Sequence, residues 1–128
     1  MTFTSPHLAS RPGLDLLIFS AALSGAVAVA AGAFAAHGAG PQVKTLLTTG
    51  AHYQLAHAVL AIVAALMGAR LAGWLALIGS LIFALSLYLM GGFSLMALGV
   101  ITPVGGLVMI AGWVVLAFGL FRSSSVKA

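Results

Sequence analysis

The chain has 128 residues, of which 62% are hydrophobic and only 5% are charged, and its mean hydropathy is +1.23. Soluble domains carry about 25% charged residues, so this composition excludes a water-soluble fold and indicates an integral membrane protein. The net charge of +4 comes from scattered single residues with no basic run, which excludes a nucleic-acid-binding protein. The sequence has no cysteine, which excludes disulfides and thiolate metal sites.

Four apolar segments follow one another between two short polar tails. We predict an N-terminal tail over residues 1–13, a membrane domain over 14–121 and a basic C-terminal tail over 122–128. At about 1.5 Å per helical residue, each apolar segment is long enough to cross the roughly 30 Å hydrocarbon core. The predicted fold class is therefore all-α, a four-transmembrane-helix antiparallel bundle with spans over residues 14–36, 50–69, 72–90 and 102–121.

Small residues recur at regular spacing on the first and fourth spans. Such spacing lets a second helix approach closely, so we predict these positions as helix-packing residues and as candidate contact faces for a partner. On the first span they are four residues apart and on the fourth seven apart: Ser24, Ala28, Gly32, Gly105, Gly112 and Gly119.

The connections fix the expected topology. We predict a loop over residues 37–49, a tight turn at Arg70 between antiparallel spans, and an apolar loop over 91–101. With four spans, both termini and the Arg70 turn share one side of the membrane. That side carries four of the five basic residues and Lys44 alone lies opposite, so the positive-inside rule places both termini in the cytoplasm.

This topology brings the polar residues to the outer ends of the spans, where we predict a polar outer mouth above an apolar inner half. Helical spacing puts Tyr53, Gln54 and His57 on one face of the second span and turns His52 away from it. We expect Gln54 and His57 to bond to Ser86, Tyr88 or a free backbone carbonyl, and Thr102 to cap the fourth span. The predicted outer-mouth cluster comprises His37, Tyr53, Gln54, His57, Ser86, Tyr88 and Thr102.

Several uses of this cluster stay open. The first is an interhelical hydrogen-bond network worth about 1 kcal/mol per bond. The second is a proton or small-solute site based on histidine, and the third is a haem or metal site. The last lacks cysteine, acidic partners and two histidines four residues apart on one helix. Asp15 is the only acidic side chain and is predicted on the cytoplasmic side, so neither a Ser–His–Asp triad nor paired carboxylates can assemble. We therefore expect no enzymatic activity, no cofactor and no metal.

Five short pieces, taken in order, resemble the YgdD-like family of small bacterial inner-membrane proteins, a family of unknown function. They are Gly32–Gly38, Thr49–Ala58, Ser86–Tyr88, Ile101–Gly106 and Ala111–Trp113. Ala35 stands where the family has glycine, and Ala84 and Leu85 replace two small or polar positions, which disfavours a wet path along the third span. The resemblance implies four spans in a bacterial inner membrane and no known activity.

We accordingly predict an accessory or scaffold subunit of the inner (plasma) membrane that acts through helix packing. Its expected partners are the lipid bilayer and either further copies of itself or a larger membrane protein complex, with no nucleic acid. The alternative is binding or conduction of a small ligand or proton at the outer mouth, through His37, Gln54, His57 and Tyr88.

Overall fold

The computed structural model describes residues 12–127, and it describes side-chain surroundings for residues 16–122. This part of the chain forms four long helices and one short 3-10 helix. Each long helix is long and apolar enough to cross a membrane, which confirms the all-α class and the four spans. The elements are α1 (Pro12–His37), α2 (Pro41–Leu66), α3 (Arg70–Phe93), the 3-10 helix (Met96–Val100) and α4 (Thr102–Lys127). The predicted tail over residues 1–13 lies outside the described residues except for its last two, which begin α1.

The start of α2 differs from the sequence-based expectation. The helix begins at Pro41 instead of Gly50, so the predicted loop over residues 37–49 is reduced to the three residues before Pro41. Gly40 is the N-cap residue, has an extended backbone and provides no side-chain capping hydrogen bond. Pro41 takes the first helical position, where its missing N–H is not needed. The polar residues that suggested a loop continue the helix, and the Thr45 hydroxyl donates to the Pro41 carbonyl at 3.2 Å.

Two further boundaries extend the predicted spans. α3 continues to Phe93 and ends where Ser94 adopts a left-handed conformation (φ 56°), and the predicted loop over residues 91–101 contains the 3-10 helix. α4 continues through the predicted C-terminal tail to Lys127. The tails and loops are therefore shorter than hydropathy alone indicates, because a helix continues beyond the apolar stretch when its backbone has no breaker.

The turn between α2 and α3 has the tight form that the sequence predicts. Gly68 has φ 79°, a left-handed conformation that glycine adopts without steric cost. The Gly68 N–H donates to the Ala65 carbonyl at 3.1 Å and the Ala69 N–H to the Ala64 carbonyl at 2.8 Å. These are the two hydrogen bonds of a Schellman motif, which ends α2 and lets α3 return beside it.

Helix packing follows chain order. α2 packs between α1 and α3, α4 packs on α3, and α1 also touches α3. Over the described residues, α1 and α4 lie on the outside and share no extended interface. The core is built mostly from alanine and leucine, which allow close approach of the helices: Leu17, Ala21, Leu60, Ala61, Ala64, Ala65, Ala72, Ala76, Leu77 and Leu116.

The predicted small-residue stripes are used inside this packing. A Cβ on Gly105 would lie 2.5 Å from the Phe83 nitrogen, and one on Gly112 would lie 3.1 Å from the Ala76 nitrogen, so both glycines seat α4 on α3. A Cβ on Gly119, in contrast, would meet nothing within 4 Å.

The α1 stripe also packs within the chain. Ser24 and Ala28 are buried, and a Cβ on Gly32 would lie 3.8 Å from that of Ala51 on α2. Every stripe position except Gly119 therefore packs against another helix of the same chain.

Candidate functional site

The Gln54 side chain is the centre of a hydrogen-bond chain that crosses three helices. It is 1% exposed. Its Nε2 donates to Ser24 Oγ on α1 at 3.1 Å, and its Oε1 accepts a hydrogen bond from the Tyr88 hydroxyl on α3 at 2.6 Å. An amide buried without partners would cost several kcal/mol of transfer free energy, at about 2–7 kcal/mol. The two hydrogen bonds of the amide offset this cost and hold α1, α2 and α3 together.

Gly50 makes room for this hydrogen-bond chain. A Cβ at Gly50 would lie 2.7 Å from the Tyr88 ring, so the ring occupies space that any other residue would fill. Tyr88 lies near the end of α3, and helical side chains point toward the N-terminus of their helix. Its hydroxyl therefore reaches inward along α2, one turn beyond Gly50, to the Gln54 amide.

His57 connects α2 to α4. Its Nδ1 lies 2.7 Å from the Tyr53 carbonyl oxygen and its Nε2 lies 3.1 Å from Trp113 Nε1. A carbonyl only accepts and an indole N–H only donates, so these partners assign the hydrogen to Nδ1 and leave Nε2 as the acceptor. His57 is thus a neutral imidazole with both nitrogens occupied, and its ring meets the Trp113 ring edge-on at 6.1 Å between centroids.

Ser86 and Thr102 connect α3 to α4 at one end of the molecule. Their hydroxyl oxygens are 2.6 Å apart, and the Ser86 hydroxyl donates to the Phe83 carbonyl at 2.7 Å. Because the Ser86 hydrogen is used there, Thr102 is the donor in the bond between them. Thr102 was predicted to cap α4, but it lies within the first turn of that helix and its hydroxyl bridges to α3 instead.

Two residues of the predicted outer mouth, Gln54 and His57, lie further from the start of their helix than the sequence predicts. Gln54 lies about 20 Å of helix from Pro41 and about 18 Å from Leu66, which is halfway along α2, and His57 lies one turn further in. Ser24 and Trp113 are likewise near the midpoints of α1 and α4. The earlier start of α2 is the reason, because it moves every polar residue of that helix away from the helix end.

The side chains of the remaining predicted residues form no hydrogen bond in this network. His37 is exposed at the end of α1, and no hydrogen bond links it to the cluster within the described chain. His52 is exposed and turned away, as expected. Tyr53 is 47% exposed, its ring packs on Phe83 with centroids 4.8 Å apart, and its hydroxyl has no partner among the described residues.

Two of the hydrogen-bond partners are not predicted from the sequence as polar site residues. Ser24 is predicted only as a packing residue, and its hydroxyl accepts the Gln54 amide. Trp113 is not among the predicted site residues, although a tryptophan in the middle of an apolar span is the signal that could have identified it, because a buried indole N–H usually finds an acceptor.

A cleft of about 350 Å³ lies between α2 and α4 with α3 as its floor. Its walls include four aromatic or imidazole rings and one open glycine position: Tyr53, His57, Phe83, Gly106, Met109, Ile110 and Trp113. A second cleft, of about 570 Å³, lies where the start of α2 meets the end of α3 and the 3-10 helix.

The buried polar side chains form hydrogen bonds with groups of the protein itself. Within the described residues, every buried side-chain nitrogen and oxygen has a hydrogen-bond partner, and no three His, Cys, Asp or Glu side chains come together in a way that could hold a metal ion. His57 has no carboxylate beside it, since Asp15 is the only acidic residue of the sequence. The arrangement can hold four helices in register, and it contains no nucleophile activated by a base.

Comparison with known proteins assigns the chain to a family. A family described as "Protein of unknown function (DUF423)" matches residues 31–106. The UPF0382 membrane protein of Haemophilus influenzae is 38% identical over 82% of this chain and 93% of its own length. The UPF0382 inner membrane protein YgdD of Escherichia coli K12 is 37% identical over 84% and 89%, and YwdK of Bacillus subtilis is 31% identical over 80% and 94%.

No solved structure matches the chain. The family match covers more than half of the sequence and includes the polar stretch at the centre of α2, so it confirms the resemblance that the motifs predict. The chain is a four-span membrane protein that belongs to the DUF423 family and is similar to the inner membrane protein YgdD.

Proposed function

We propose that this protein is a non-enzymatic accessory or scaffold subunit of the bacterial inner membrane, and that its polar core is structural. The observation that carries the proposal is the Ser24–Gln54–Tyr88 hydrogen-bond chain, in which each polar side chain bonds to a side chain of a neighbouring helix. The bond between Trp113 and His57 supports it in the same way. Polar groups that are fully paired inside a bundle specify helix arrangement, and they are not presented to a substrate.

The outer faces of α1 and α4 are the surfaces on which a partner would pack. These two helices are the least buried of the four, and their small-residue stripes are already used inside the chain. Their outward side chains are large and apolar, as with Val27 on α1 and Phe118 on α4. Such faces suit either lipid or the helix of another membrane protein, and the accessory role requires that at least one of them contacts protein.

The test is the mass of the native assembly. The protein is extracted in a mild detergent and its mass is measured by light scattering and native mass spectrometry, with identification of any co-purified protein. We expect a stoichiometric partner or a second copy, and we expect Val27→Trp on α1 to reduce the assembled fraction. Ile78→Trp, at an exposed position of α3, is the matched control. A monomer without partners, both in detergent and in native-lipid nanodiscs, would contradict the accessory role.

We also propose that both termini face the cytoplasm. The support is the distribution of basic residues, with Lys44 as the only one on the opposite side. The absence of cysteine allows single-cysteine variants without background labelling. Met67→Cys, in the α2–α3 turn, should be protected from an impermeant thiol reagent in whole spheroplasts, whereas Ala39→Cys should be labelled. The reverse pattern would show that the orientation is inverted.

Conduction of a proton or small ligand through the predicted outer-mouth cluster has weaker support. The polar atoms of Gln54 and Tyr88 that conduction would require are hydrogen-bonded to each other, and His37 forms no hydrogen bond with them. The two functions give different results for His57→Ala. The accessory role predicts lower stability with no change in any ligand response, and conduction predicts a folded protein that loses a pH-dependent or ligand-dependent signal.

A further inference from the structure

The cleft between α2 and α4 is concave and lined by aromatic rings. The hydrogen bond between Trp113 and His57 joins α4 to α2, and Phe83 of α3 lines the back of the cleft between them. The volume of about 350 Å³ falls in the lower part of the roughly 300–1,000 Å³ range of small-molecule sites. The opening faces the hydrocarbon region, because Tyr53 and Trp113 are both about half exposed and near the middle of their helices.

Gly106 keeps this cleft open. A Cβ at Gly106 would meet nothing within 4 Å, whereas one at its neighbour Gly105 would collide with the backbone of α3. The two adjacent glycines therefore have different consequences. Gly105 permits helix packing, and Gly106 leaves the wall of the cleft without a side chain.

The Tyr53 hydroxyl lines the cleft and has no hydrogen-bond partner among the described residues. The Tyr53 backbone lies about 18 Å along α2 from Pro41, near the middle of a helix long and apolar enough to cross a membrane, and lipid chains offer no hydrogen-bond acceptor there. The side chains of its buried neighbours Gln54 and His57 are, in contrast, both hydrogen-bonded. A ligand in the cleft that accepts a hydrogen bond would give the Tyr53 hydroxyl an acceptor, just as His57 Nε2 accepts from the Trp113 indole.

We propose that this cleft binds a membrane-soluble molecule whose flat ring carries a carbonyl group, with the ring against the aromatic walls and the carbonyl accepting from the Tyr53 hydroxyl. Flat rings pack favourably against aromatic side chains in offset or edge-on geometry, and Phe83, Trp113 and His57 supply such surfaces. The site is reached from the lipid, so a lipid-soluble ligand is required. A plain acyl chain would fill the volume but would leave the hydroxyl unpaired. This site is independent of the accessory role.

Trp113 provides a direct reporter of binding. The chain has two tryptophans, and Trp74→Phe leaves Trp113 as the only indole. In nanodiscs, the probe is 2-methyl-1,4-naphthoquinone, a flat dicarbonyl ring that quenches tryptophan fluorescence on contact. We expect saturable quenching of Trp113 above the linear quenching that partition of the probe into the lipid produces.

Two variants and a matched control test the geometry in the same background. Gly106→Leu should abolish saturable quenching because its side chain fills the cleft. Gly119→Leu is made at the other α4 glycine whose Cβ meets nothing within 4 Å, and it should leave binding unchanged. Tyr53→Phe keeps the ring and removes the hydroxyl, and it should weaken binding about fivefold, the loss typical of one hydrogen bond.

Several results would overturn the proposal. Quenching that stays linear in the Trp74→Phe protein would show that only lipid chains occupy the cleft. Equal quenching by Gly106→Leu and Gly119→Leu would place the probe elsewhere, and an unchanged dissociation constant in Tyr53→Phe would remove the hydrogen bond on which the ligand class rests. If Gly106→Leu does not fold, as judged by circular dichroism and monodispersity, Gly106→Val and Tyr53→Phe decide the question.

Discussion

Replacement of Gln54 by methionine tests whether the polar core holds the helices together. Methionine has nearly the same length and volume as glutamine, so Gln54→Met removes the amide without opening a large cavity. Two hydrogen bonds are lost, to Ser24 and to Tyr88. Measured hydrogen bonds between membrane helices average about 0.6 kcal/mol and reach about 1.7 kcal/mol, which gives a direct loss of about 1–3 kcal/mol for the pair.

The partners left behind add to this loss unequally. The Ser24 hydroxyl can turn to a carbonyl of its own helix, as serine commonly does inside helices. The Tyr88 hydroxyl would lose its Gln54 acceptor in a partly buried site, at a cost of about 1–3 kcal/mol. We therefore expect Gln54→Met to lower the free energy of unfolding by about 3 kcal/mol. Leu55→Met, at a neighbouring exposed position, should change it by less than about 0.5 kcal/mol.

The measurement is reversible unfolding in mixed micelles, with the same substitution repeated in a Tyr88→Phe background. Without the hydroxyl there is nothing to leave unpaired, so Gln54→Met should cost at least about 1 kcal/mol less in that background. Equal losses in the two backgrounds would show that the two side chains are not coupled. A Gln54→Met protein as stable as the wild type would refute the view that this amide locks the helices.

Two further predictions concern glycine packing and the state of His57. Gly105→Ala should lower the free energy of unfolding by about 3 kcal/mol or more, because its Cβ would lie 2.5 Å from the Phe83 nitrogen, whereas Gly119→Ala should be neutral or stabilising by up to about 1 kcal/mol; similar melting temperatures for the two would contradict the packing. Nitrogen-15 NMR of His57 should show a neutral ring with hydrogen on Nδ1, and Trp113→Phe should shift the Nε2 resonance. A predominant Nε2–H tautomer in the wild type would disprove the assigned bonds.

The sequence predicts the number of helices well because each crossing requires a long apolar run, and hydropathy measures that directly. It also predicts the α2–α3 hairpin, since very few residues separate the two predicted spans. The turn is predicted at Arg70 but lies at Gly68, and Arg70 begins α3. The start of α2 escapes prediction because Gln42, Lys44 and Thr45 have the composition of a loop. At a membrane surface a helix tolerates such residues as well as a loop does, so composition cannot separate the two.

The site could be predicted only in part. Helical spacing correctly groups Gln54 with His57, which are about 60° apart around α2 at 3.6 residues per turn. It does not say which helix lies on each side of that face, and the structure sends Gln54 to α1 and α3 but His57 to α4. The partners Ser24 and Trp113 depend on this arrangement of neighbours, which no local pattern in the chain encodes.

The packing of each helix on its predecessor has a consequence for biogenesis. Helices enter the bilayer in order of synthesis, and here each new helix finds its main packing surface already present. The Gln54 amide can donate to Ser24 once α1 and α2 are inserted, and its carbonyl oxygen gains the Tyr88 hydroxyl as donor when α3 follows. His57 gains the Trp113 indole as donor when α4 is inserted. Each of these polar groups therefore finds its partner no more than two helix insertions later.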